Sequence, residues 1–422
     1  MSNSFVDTRP VIPLTNAQLL TGAARLFIRP TIYLTSALLP AMLLNATGTN
    51  IALANEYKAG ANHGAGWIIS LGWLVFGISA GAFGAFIDRK PSIIRKTRLI
   101  RVVASTLLLL GGMLAATYKV MPAAYTLVAM QIPAAMLCIL PTVELTRAKK
   151  KTGRGAVSGL FAIALGLSYF IALNVSSNNT FPNSIRASVF VSLILIGVAE
   201  IVRWWFKRHP DGPVKHRRSK REKGIEFNHL IRFIIASVIF LACSSALEYI
   251  YPPLVEANVT TKGQTYDQVL NVSLFLLSLL SIVAVAGTVF FLFDARRVER
   301  TFVVGTLMFG TITLMMIGFT KTMVFIILSS LAGIGIGITS TTLLVLIMTY
   351  IPKKTWRGRA VGILFASIAL GHALGPIVSH LLIINTSKGF TNTLMVLALA
   401  SCAVSGIIHV TRAKPNDFHV TF

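Results

Sequence analysis

Residues 150–155 read KKTGRG and residues 353–358 read KKTWRG, two near copies 203 residues apart in a chain of 422. A second pair shares almost the same offset. In GAFGAFIDRK at 81–90 a glycine, Gly81, precedes Asp88 by seven residues, and in GTVFFLFDAR at 287–296 Gly287 precedes Asp294 by seven. A third echo extends the first: Gly159 follows Gly155 by four residues, as Gly362 follows Gly358. The chain therefore repeats itself once, in parallel, over about half its length.

What lies between the copies is apolar. The sequence is 54% hydrophobic and 13% charged, with a mean hydropathy of +0.73, values of a protein whose main solvent is lipid. Stretches of about 20 apolar residues, long enough to cross a hydrocarbon core, recur throughout. Twelve spans are expected, at 18–44, 65–87, 99–118, 121–145, 156–175, 185–206, 229–252, 268–293, 302–319, 323–351, 360–384 and 391–410. Backbone in hydrocarbon satisfies its own hydrogen bonds, so runs of this length are helices, and the shorter alternating segments of a barrel are absent. The polar first 17 residues lack a secretory signal pattern and are expected to be retained.

The net charge of +25 is not a nucleic-acid footprint, because the basic residues alternate between loops. Every second loop carries a cluster: Arg89, Lys90, Arg95, Lys96 and Arg98, then Arg147 to Arg154, then Lys207 to Lys223. Arg296, Arg297 and Arg300 continue the series, followed by Lys353, Lys354, Arg357 and Arg359. Intervening loops carry one basic residue each, and basic loops stay in the cytoplasm, so both termini are placed inside. The organisation expected is an N-terminal six-helix half over 1–206, a basic linker over 207–227 and a C-terminal half over 228–422. Two halves related by parallel duplication place a substrate site between them near mid-membrane.

These residues resemble the major facilitator superfamily over essentially the whole chain, closest to its drug and small-solute efflux members. The family's signature between the second and third helices is matched by Gly84, Asp88, Arg89, Arg95 and Lys96, although Pro91 and Ser92 replace the usual glycine and arginine. The second copy has Phe290 for the glycine and Ala295 for the first arginine. The resemblance implies an all-α fold of twelve transmembrane helices and a cytoplasmic gate of Gly84, Asp88, Arg89, Asp294, Arg357 and Arg359. Asp88 would meet the N-terminus of the eleventh span, where Arg357 or Arg359 could pair with it. Plain anchoring of helix ends is the alternative role for the two basic phrases. Glycines four apart, such as Gly77 and Gly81 or Gly371 and Gly375, allow close helix packing, and Pro133 and Pro376 supply kinks.

Ionisable residues inside a span are costly and mark function. Arg25 and Arg29 share a face of the first span, Arg29 about 16 Å in by helical rise, and could grip a carboxylate, phosphate or sulfate, or else snorkel to the surface. Glu248 is the one acidic residue expected well inside the second half, where it could carry a proton or bind a cationic group of the substrate, or else lie exposed at the outer mouth; His372, near the middle of the eleventh span, could relay a proton or serve structure. Gln131 adds a polar candidate. Glu144, Glu200 and Arg203, near span ends, are expected to pair with the loops. Cys138, Cys243 and Cys402 lie in apolar stretches without metal-site or disulfide spacing.

No phosphate-loop motif and no catalytic constellation appears, so the chain is expected to be no enzyme, to use no cofactor or metal, and to draw on a proton or other ion gradient. The reading is a proton-coupled exporter of an anionic or amphiphilic small molecule, probed against an uptake permease for an anionic nutrient, a ferroportin-like metal exporter and a lipid-moving or non-transporting partner protein. Anionic lipids at the basic linker, a monomer and a bacterial cytoplasmic membrane complete the expectation. Sequons at Asn178 and Asn385 leave a eukaryotic source open.

Overall fold

The computed structural model describes residues 32, 36–44, 47, 65–89, 97–117, 126–148, 183–208, 227–258, 272, 275–277, 279–281, 283, 284, 295–318, 322–350, 357–384 and 389–410. Among these residues there is no strand. Nine helices are complete: α1 Ala65–Arg89, α2 Thr97–Ala115, α3 Gln131–Ala148, α4 Asn183–Arg208, α5 Phe227–Asn258, α6 Ala295–Met316, α7 Thr322–Tyr350, α8 Arg357–Ile384 and α9 Gly389–Val410. All nine are long and apolar enough to cross a membrane. Each occupies one expected span. Residues 36–44 and the described residues between 272 and 284 are also helical, within two further spans. The span at 156–175, with Arg25 and Arg29, lies outside the described residues.

Several helices show their bilayer face as a stripe. On α1 the exposed large residues are Trp67, Leu71, Leu74 and Ile78, and on α8 they are Leu370, Leu374, Val378 and Leu381. That three-to-four spacing is one side of a helix, and here the outside is greasy because its surroundings are lipid. The opposite side of α1 buries Phe76, Ala80, Phe83 and Ile87. Buried Ser and Thr hydroxyls mostly bond backward to carbonyls of their own helix, as Thr142 does to Cys138 and Thr339 to Gly335. A few cross between helices instead, such as Thr306 to Ser405 at 2.6 Å.

Apart from α8, the helices pack in two groups. The α3 helix lies against α1 and α2, and α2 against α4; in the second group α6 packs on α7 and α9, and α5 on α8, α9 and α7. The α8 helix also lies along α1 in the most extensive contact of the fold, and touches α3. Helix α3 begins at Gln131 after a turn at Met130. Pro133, in its first turn, has no N–H to give the carbonyl four residues back, which accounts for the break.

Two expectations change at the ends bearing the basic clusters. The ninth span was expected to start at 302, yet α6 begins at Ala295, so Arg296, Arg297 and Arg300 belong to its first two turns and not to a loop. Glu299, one turn into α6, adds a buried acidic residue nearer the helix end than Glu248. Glu299 is only 2% exposed and pairs with Arg232 of α5 at 3.4 Å, with the guanidinium 4.6 Å from the centre of the Phe233 ring. Glu200 pairs with Arg101 of α2 at 2.8 Å, helix to helix and not helix to loop. A charge one turn inside a span is tolerable when an opposite charge meets it there. The side chains of Glu144 and Arg203 lie outside the described residues.

Candidate functional site at the α1–α8 seam

Asp88 is the penultimate residue of α1 and is half-buried. Its carboxylate accepts a hydrogen bond from the backbone N–H of Gly358 at 2.9 Å and another from that of Arg359 at 2.7 Å. Both amides belong to the first turn of α8, which starts at Arg357. The first four N–H groups of a helix have no partner inside it, and together they present a partial positive charge. A carboxylate placed there makes charge-assisted bonds without needing a cationic side chain.

What lets the carboxylate arrive is the absence of side chains one turn away. Gly84 precedes Asp88 by four residues and so faces the same way. A Cβ on Gly84 would strike the Gly358 carbonyl and lie 2.9 Å from the Gly362 Cα; one on Gly358 would lie 2.5 Å from the Gly84 oxygen and 2.8 Å from Asp88 Oδ1. One on Gly362 would come within 2.9 Å of the Ala80 carbonyl, and one on Gly77 within 2.9 Å of the Ala369 Cβ. Gly81, on the same helix, is different: a Cβ there meets nothing within 4 Å.

The sequence expected Arg357 or Arg359 to pair with Asp88 through its guanidinium. Two of the bonds to that carboxylate come from backbone amides, including that of Arg359 itself. Arg89 ends α1 exposed, the side chain of Arg357 is outside the described residues, and Asp294 is outside them altogether.

Further from the basic loops the seam becomes aromatic. The rings of Trp73 on α1 and His372 on α8 stack with centroids 4.7 Å apart and planes inclined by 19°. Trp73 meets Phe76 edge-on at 5.8 Å, and Phe76 meets Phe365 of α8 at 6.0 Å. Two hydroxyls fasten the backbone of α8 at this level: Ser70 donates to the Ala373 carbonyl at 2.7 Å, and Ser245 of α5 to that of His372 at 3.2 Å. His372 thus stands where α1, α5 and α8 meet. Gln131 is buried at the start of α3, donating to the Leu127 carbonyl at 3.2 Å, with its stem 3.9 Å from where a Gly72 Cβ would be. Glu248 is half-buried on α5, three residues beyond Ser245.

The structure therefore brings Gly84, Asp88 and the Arg359 amide together, and sets His372 and Gln131 beside successive residues of α1. Trp73, Ser70 and Ser245, which no motif marked, complete the aromatic level. A tryptophan one turn before a run of glycines was the available signal. Among the described residues no group of three or more His, Cys, Asp or Glu side chains is arranged to hold a metal.

Comparison with known proteins places this architecture. No protein of curated function matches the sequence significantly. The solved structure of the human organic anion transporter MFSD10 (TETRAN) aligns over 90% of this chain and 99% of that one, with a TM-score of 0.66 and 13% sequence identity, a likeness of fold. The model of the Major Facilitator Superfamily matches residues 181–376 and 294–418, which together cover more than half of the sequence. With its membrane-crossing helices and this fold, the chain belongs to the Major Facilitator Superfamily.

Proposed function

We propose that this multi-pass membrane protein is a secondary transporter that exports an anionic or amphiphilic organic solute in exchange for protons, with the α1–α8 seam as its cytoplasmic latch. The two moving bodies are residues 1–206 and 228–422, with 207–227 as the basic tether. Basic loops on the seam's Asp88 side support a cytoplasmic position for that end.

The observation that carries this reading is the Asp88 carboxylate on the Gly358 and Arg359 amides. It joins the two helix groups through groups that water can serve equally well once they part. Two such bonds favour one state by about 1–3 kcal/mol and do not lock it. A two-state carrier needs such a reversible bias.

Three features support an anionic solute: the net charge of +25, the arginine pair Arg25 and Arg29, and a structural neighbour whose title names an organic anion transporter. His372 and Glu248 are the candidate proton carriers in the spans. In proteoliposomes, an inward proton gradient should drive labelled organic anions from the lumen through right-side-out protein, and an ionophore that collapses the gradient should stop it. Movement in the opposite direction would replace export with nutrient uptake. Transport indifferent to both gradient and ionophore would remove proton exchange.

A further inference from the structure

We propose that the stacked rings of Trp73 and His372 form part of the solute-binding wall, and that they fit a flat organic anion such as an arenesulfonate or aromatic carboxylate. This rests on the transporter reading above and names the chemistry of its solute. Both residues lie on the side of their helix turned from the lipid stripe, Trp73 away from Leu71 and Leu74, and His372 away from Leu370 and Leu374. Yet both are only half-buried. Partial exposure on the face turned from the lipid is what the wall of a solute space between the helices would show.

By helical rise Trp73 sits about 24 Å from the Arg89 end of α1, and His372 about 22 Å from the start of α8, so the pair lies well away from the sealed end. The two rings belong to different helix groups, and a solute touching both is held by both.

The chemistry at this level is that of donors. Ser70 and Ser245 spend their hydroxyls on the carbonyls of Ala373 and His372. The Trp73 indole N–H and the His372 ring nitrogens have no hydrogen-bond partner among the described residues. Glu248, the acidic residue one turn on along α5, is itself partnered. The N–H edges of the indole and imidazole suit the oxygens of an anion, while an outer face of the stack, not the faces the rings turn to each other, suits a flat apolar body. Sparse, convergent polar groups on an aromatic wall are the usual make-up of a small-molecule site.

The test is binding of benzenesulfonate, a permanent anion, to the full chain in lipid nanodiscs, read by saturation-transfer nuclear magnetic resonance. Cyclohexanesulfonate removes the flat ring and benzenesulfonamide removes the charge, and each should bind more weakly. Trp73→Leu and His372→Leu should each weaken benzenesulfonate by about tenfold, the loss of one stack or one charge-assisted bond. Equal binding to both variants, or no binding to the parent protein, overturns the proposal. If the leucine variants do not fold, nuclear Overhauser contacts between the ligand ring and the His372 ring protons, assigned with His372→Gln, decide it: contacts uphold the site and their absence overturns it. Binding without flux keeps this site and removes the transport reading. Flux of benzenesulfonate unchanged in both variants does the reverse.

Discussion

Adding one methyl group at Gly84 should unlatch the seam, whereas the same change at Gly81, three residues earlier on the same helix, should do nothing. In Gly84→Ala the new Cβ would meet the Gly358 carbonyl and, at 2.9 Å, the Gly362 Cα. Both are backbone atoms, so no rotamer change relieves the clash. The helices must part by about 1 Å to restore ordinary contact, which forfeits much of the dispersion energy along the seam. Such a shift also stretches the Asp88 bonds, now 2.9 and 2.7 Å, past useful length. Losing two charge-assisted bonds, largely replaced by water, together with the packing loss, costs the closed state roughly 2–4 kcal/mol. That is about 30- to 1,000-fold in the closed-to-open ratio. Spin labels flanking the seam on α1 and α8, read by electron–electron distance measurements in nanodiscs, report the two populations. Gly84→Ala should shift the distribution to longer distances while Gly81→Ala, whose Cβ meets nothing within 4 Å, reproduces the parent. Identical distributions for Gly84→Ala and the parent would falsify the reasoning, since the closed seam could then not be as tight as described.

Asp88→Asn leaves one acceptor for two amides and no charge for the helix N-terminus, so it should open the same distribution by about 1–2 kcal/mol, less than Gly84→Ala. Glu299→Gln leaves Arg232 facing a neutral partner in a buried place and should lower the thermal unfolding midpoint markedly, a cost of about 3–5 kcal/mol, while the double change Arg232→Met with Glu299→Met recovers most of it. A midpoint equal to the parent's for Glu299→Gln would show that the pair contributes nothing. Thr306→Val removes a buried hydroxyl bond of 2.6 Å to Ser405, and should cost only about 0.5–1 kcal/mol, because hydrogen bonds between membrane helices are worth little net. An effect as large as that of Glu299→Gln would overturn this ranking.

The spans were legible because lipid imposes a rule that composition obeys directly: an apolar run of sufficient length must be a helix. Alternating basic loops and the repeated phrases then carried the architecture. The start of α6 was not legible, since RRVER at 296–300 reads as a loop when Glu299 has no known partner. Its partner Arg232 lies 67 residues away, and only tertiary packing brings the two together. Asp88 was singled out for the start of the eleventh span, but whether its carboxylate reaches the backbone amides there depends on how closely Gly84 approaches Gly358. Periodicity does not encode that distance. The Trp73–His372 stack was hidden for a similar reason: each residue alone reads as a core aromatic or a lone histidine. Arg25, Arg29 and Asp294 lie outside the described residues, and their roles stay with the sequence.

A chain that carries a solute by alternating access shows counterflow, and its presence or absence decides whether this protein is a carrier. Proteoliposomes are preloaded with unlabelled benzenesulfonate or another organic anion and diluted into a trace of the labelled compound, without nucleotide or ion gradient. A carrier must bring label inward on each return of its site, so the account predicts transient accumulation above the external level that vanishes without preload. Label that enters no faster than into protein-free vesicles, across a panel of organic anions and with preload or without, would contradict it.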